Sequence, residues 1–130
     1  MIATRLLLMS VATVIVGCTP PVASSHSDDA KSQLITEDEI EASRAPTAYD
    51  VIQKLRANFL TYRGEASFDK STSQPYPTVY VDGQEYGSVG MLRNIPSSQV
   101  ATIRFYRAWE ATTKFGTGNM GGVIAITTRR

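Results

Sequence analysis

Pro77-Thr78-Val79-Tyr80-Val81-Asp82-Gly83-Gln84-Glu85-Tyr86 reads as a strand, a tight turn and a returning strand. The β-branched and aromatic residues Thr78 to Val81 suit a pleated, half-buried surface. Asp82-Gly83 is a hairpin dipeptide, because a two-residue turn that follows the strand twist needs positive φ at its central positions. Asp82 is therefore read as a turn former and not as a catalytic acid.

Downstream of the hairpin, Met91 to Ile95 has no single periodicity, and Pro96-Ser97-Ser98 marks a turn. Val100 to Arg107 partly alternates, with Ile103 and Phe105 on one face and Arg104 and Tyr106 on the other, which predicts a strand. Trp109 to Phe115 follows as one or two helical turns, ending at Gly116 in a C-cap position. Val123 to Thr128 is β-rich and is expected to complete the sheet.

Upstream, Thr36 and Glu39 sit at the N-cap and N3 positions of a capping box, with Ile35 and Ile40 placed for a hydrophobic staple. A short helix from Glu37 to about Ser43 is expected. Its acidic run Glu37, Asp38 and Glu39 is explained by the helix dipole and the cap. Pro46 breaks the chain, Thr47 with Asp50 starts a second helix, and Val51, Ile52, Leu55 and Phe59 give it an apolar face from about Ala48 to Leu60. Gln53, Lys54 and Arg56 fall on the opposite, solvated side. Gly64 to Pro77 reads as a loop or a weak edge strand. The sum is an α+β domain with a small mixed β-sheet and flanking short helices.

Gly116-Thr117-Gly118-Asn119-Met120-Gly121 fits G-x-G-x-x-G, but a dinucleotide loop needs a strand before it and a helix after it. Here a strand follows, so the glycines are read as a permissive connection. The chain has one His and no G-x-S-x-G or H-E-x-x-H, and Asp82, Glu85 and Glu110 cannot be paired from the sequence. No catalytic residue, cofactor or metal site is assigned. The aromatics Trp109, Phe105, Tyr106 and Phe115 are read as core in preference to a stacking platform. Trp109, Tyr106 and Asn119 are the residues expected to touch a ligand or partner if that region binds one.

The N-terminus carries an address. Arg5 precedes an apolar run from Leu6 to Val16, the length of a signal-peptide core and too short to span a bilayer. Ile15-Val16-Gly17-Cys18 resembles the bacterial lipobox, which implies a signal over residues 1–17 and a lipid on Cys18. Several acyl chains on one residue would anchor stably. Thr19 stands where an Asp would imply inner-membrane retention, so the outer membrane is expected, with the domain facing the periplasm. Thr19 to Ser32 is rich in Pro, Ser, Asp and Ala, so residues 18–33 read as a tether of roughly 20 Å mean span. His26 in it is read as solvated. Residues 34–130 form the folded domain. Basic and acidic residues number 13 and 12 and are scattered, which argues against a nucleic-acid partner.

Taken in order, Ile35-Thr36-Glu37-Asp38-Glu39-Ile40, Val79-Tyr80-Val81-Asp82-Gly83, Ile95-Pro96, Val100 with Ile103, Phe115-Gly116, Gly121-Gly122-Val123-Ile124 and Thr127-Thr128 resemble the plug domain of TonB-dependent outer-membrane receptors. The chain departs from that pattern at Arg104-Phe105-Tyr106 and Trp109-Glu110, and no segment near the tether matches the motif that engages the energy-transducing partner. The resemblance implies a non-enzymatic interaction module. With Arg130 as the last residue, a plug-like domain standing without its barrel is expected, binding an envelope protein partner. The other reading it allows is a periplasmic lipoprotein that binds a small ligand through the Trp109 region and the glycine loop.

Overall fold

The computed structural model describes residues 31–61 and 75–130. The signal over residues 1–17, Cys18, His26 and most of the expected loop from Gly64 lie outside the described residues. Five strands form one mixed sheet: β1 (Leu34–Ile35), β2 (Thr78–Val81), β3 (Gln84–Ser88), β4 (Val100–Tyr106) and β5 (Val123–Thr128). Their spatial order is β1-β4-β5-β2-β3. β5 lies at the centre, antiparallel to β4 and parallel to β2, while β3 and β1 form the edges. The fold is α+β, as the element pattern predicts.

The Asp82-Gly83 turn has the positive φ values of 48° and 84° that a two-residue hairpin demands. Beyond it, β3 carries a bulge that shifts the register between Val79 and Tyr80. A bulge on an edge strand twists it away from pairing with other chains.

α1 (Glu37–Ser43) begins at Thr36, whose backbone N–H donates to the Glu39 carboxylate at 3.0 Å. Ile35 and Ile40, the two ends of the predicted staple, are both buried in the main core. α2 (Ala48–Arg56) is capped by Thr47, whose hydroxyl accepts from Asp50 N–H at 3.3 Å and donates to the Asp50 carboxylate at 2.6 Å. The sequence predicts a single helix to Leu60, but the chain tightens into a 3₁₀ turn at Ala57–Leu60. The change lets Phe59 reach the core, where it stacks on Phe105 with ring centroids 5.0 Å apart.

The polar side of α2 is not simply solvated. Lys54 Nζ donates to the Ser43 carbonyl at 2.6 Å, answering an unpaired acceptor at the end of α1. The Arg56 guanidinium bonds Glu39 at 3.1 Å and the Ser32 carbonyl at 3.3 Å. These long side chains pin the second helix to the first. On the tether side of the expected boundary, Gln33 is buried and its carbonyl accepts from Phe105 N–H at 2.8 Å.

Alternation along the strands sends successive side chains to opposite faces. Val79, Ile103, Phe105, Ile124 and Ile126 join Ile40, Val51, Ile52 and Leu92 in the main core beneath α1 and α2. Tyr106 and Val123 face the other way, where α3 (Ala108–Phe115) covers them through Ala111 and Phe115. The sheet therefore has a fully covered inner face and an outer face that one short helix overlies.

Candidate functional site

The outer face holds a groove of about 430 Å³. Its origin lies in cross-strand register. Arg104 pairs with Leu34 on one side and Ala125 on the other, Ala125 pairs with Tyr80, and Thr102 pairs with Thr127. Small side chains at Thr102, Ala125 and Thr127 leave a low floor, while Tyr106, Phe115 and Lys114 rise at the α3 end. Leu34, Asp82 and Arg130 also line it.

Tyr106 anchors the wall. Its ring meets Phe115 edge to face at 5.4 Å, and Phe115 in turn contacts Tyr80 at 4.5 Å between centroids. Two cations converge on the same ring: Lys114 Nζ lies 4.5 Å and the Arg104 guanidinium carbon 5.0 Å from its centroid. Lys114 Nζ also donates to the Tyr106 hydroxyl at 2.7 Å.

Asp82 is the one carboxylate lining the groove among the described residues. It already serves the fold, accepting from Thr128 N–H at 3.0 Å and from the Thr128 hydroxyl at 2.6 Å. Its pKa is held below the ordinary Asp value, first by the hydroxyl bond, then by the backbone bond and, to a smaller degree, by the Arg130 charge. Glu110 is likewise committed, accepting from Arg107 N–H at the start of α3. Glu85 is exposed on β3.

The three residues expected to make contacts do not converge. Tyr106 lines the groove, but neither Trp109 nor Asn119 does. Trp109 is 69% exposed, against its reading as core. The reason is helical geometry: Ala111 and Phe115, four apart, share the packed face, and Trp109, two before Ala111, points away from it. Asn119 is buried and braces the glycine loop, its side-chain amide donating to the Gly116 carbonyl at 3.1 Å while its own carbonyl accepts from Gly122 N–H at 2.9 Å. That loop runs from helix into strand, the reverse of a dinucleotide cradle.

Arg104, Lys114 and the low floor were not singled out as a site from the sequence, because they come together only through strand pairing and the α3 crossing. Among the described residues, no group of three or more His, Cys, Asp or Glu side chains could hold a metal ion. No described helix is long and apolar enough to cross a membrane.

Fold and groove together define an α+β domain with a mixed five-stranded sheet and a basic, aromatic-walled concavity on its less covered face. No protein-family model, curated protein or solved structure matches the chain.

Proposed function

We propose that this chain is a lipoprotein of the outer membrane, anchored through Cys18, whose plug-like domain binds an envelope protein. The lipobox-like Ile15-Val16-Gly17-Cys18 supports the anchor, and the ordered residues that resemble receptor plugs support the domain type. The observation that carries the binding role is the outer sheet face, which α3 covers at the Tyr106 and Val123 end and leaves as an open groove around Thr102, Ala125 and Thr127.

The test is crosslinking and pull-down from native membranes, paired with acyl labelling of the full chain. A labelled wild type, an unlabelled Cys18→Ser variant and a reproducible envelope partner are expected. Lipidated protein with no reproducible partner contradicts the binding role.

The groove volume also favours the small-ligand reading, since it falls within the roughly 300–1,000 Å³ typical of ligand pockets. That reading moves the pocket from the Trp109 region to Tyr106. Saturable binding of a small envelope metabolite, lost in Tyr106→Ala and retained in Trp109→Ala, distinguishes it from protein binding.

A further inference from the structure

Charges on this molecule are distributed unevenly between its two faces. On the helical side, cations meet carboxylates: Arg129 bonds Glu37 at 3.1 Å and Glu41 at 3.0 Å, and Arg56 bonds Glu39 at 3.1 Å. In the groove the pattern is reversed. Arg104 and Lys114 crowd one tyrosine ring, Arg130 lines the same concavity, and no ion pair joins any of the three to a carboxylate among the described residues. Asp82, the one acidic side chain there, keeps its negative charge while it accepts from Thr128 and feels the Arg130 charge, which leaves Arg104 and Lys114 as the cations farther along the groove.

Like charges held near one another raise the free energy of the unbound state, and an incoming anion relieves that repulsion while gaining charge-assisted hydrogen bonds. Guanidinium and ammonium groups differ in what they offer, a planar fork from Arg104 and a compact point charge from Lys114. The floor between the Asp82 turn and the Tyr106 wall is lined by the small side chains Thr102, Ala125 and Thr127. Such a floor suits a slim extended chain better than a bulky fused ring system.

We propose that the groove between Tyr106 and the β4–β5 floor binds an acidic extended peptide segment of the partner protein, with Arg104 and Lys114 receiving its carboxylates. The proposal rests on the partner-binding reading above and names the chemistry of the partner. Charge complementarity selects this occupant: three side-chain cations against the single Asp82 carboxylate give the groove an excess of positive side-chain charge in a chain whose charges otherwise nearly balance.

The experiment is fluorescence anisotropy of a fluorescein-labelled hexaglutamate peptide titrated with the full chain at low and at physiological salt. Wild type gives saturable binding that weakens with salt. Arg104→Glu and Lys114→Glu each lower affinity by about tenfold or more. Arg93→Glu, an equal charge change over Tyr49 on the helical side, leaves it within about twofold, because an exposed charge away from the groove contributes little. Circular dichroism of each variant verifies the fold.

Absence of saturable binding by the folded wild type overturns the proposal, as does equal loss in Arg93→Glu and the groove variants. Displacement of the peptide by free citrate at matched carboxylate concentration overturns it in favour of a small anion. Binding of the Cys18→Ser chain to anionic phospholipid vesicles in preference to the peptide, lost in the Arg104→Glu background, overturns it in favour of a membrane surface. Saturable peptide binding lost in the groove variants supports the groove even where native membranes yield no partner, in which case the partner-binding reading alone falls.

Discussion

Asp82 and Thr128 lock the hairpin turn to the end of the central strand: the Asp82 carboxylate accepts from the Thr128 backbone at 3.0 Å and from its hydroxyl at 2.6 Å. The turn residue thereby closes one end of the groove and holds β5 in register beside β2. The pairing also gives the fold a dependence on pH.

A carboxyl whose pKa is lowered by folding stabilises the native state above its unfolded pKa of about 3.9, and that contribution is lost as pH falls through the folded value. Asp82→Asn keeps a residue tolerant of positive φ and removes the charge. Urea unfolding from pH 6 to pH 2 is expected to show a wild-type advantage that is constant at the upper end and shrinks below about pH 4. Thr128→Val, which removes the hydroxyl bond and keeps the backbone one, reproduces part of the loss. An advantage for wild type that is independent of pH contradicts the assignment.

Gly122 is the glycine whose replacement the packing forbids. It has φ +89°, and a Cβ there would lie 2.6 Å from the Tyr106 carbonyl and 2.8 Å from the Phe105 ring. Gly122→Ala is expected to destabilise by about 3 kcal/mol or more, combining left-handed strain with overpacking. Gly118, with φ +103° and open space around its Cβ position, carries only the backbone component, so Gly118→Ala costs about 1–2 kcal/mol. Equal thermal shifts in the two variants contradict the steric part.

Phe59 tests the 3₁₀ turn after α2. Its ring is fully buried against Phe105, so Phe59→Ala is expected to cost about 3–5 kcal/mol in denaturant unfolding. Arg129→Gln, which breaks two ion pairs with half-exposed partners, is expected to cost less than about 1 kcal/mol. A larger effect at Arg129 than at Phe59 reverses the account of what holds the sheet to its helices.

Local rules placed most of the elements. Thr36 with Glu39, Thr47 with Asp50 and Asp82-Gly83 act through neighbours in sequence, so their caps and turn are visible without the tertiary fold. β1 leaves no trace in the sequence because two residues carry no period; Leu34 and Ile35 are extended by their pairing with Arg104 and Ile103. The end of α2 is hidden for a similar reason, since the apolar spacing that places Phe59 on one face fits a continued α-helix as well as a 3₁₀ turn.

The groove was the least legible feature. Thr102, Ala125 and Thr127 are unremarkable apart, and become a floor only when β4 and β5 set them side by side. Trp109 has the size of a core residue, yet helical phase turns it outward.

A photo-crosslinking residue placed in the full chain, in native membranes, tests the central claim most directly. At Thr127, exposed on the groove floor, it is expected to capture an envelope protein; at Gln53, exposed on α2 beyond the inner face, it is not. A distinct Thr127 adduct that disappears in the Arg104→Glu background supports a partner seated in the groove. No adduct at Thr127, or the same adduct from Gln53, contradicts it.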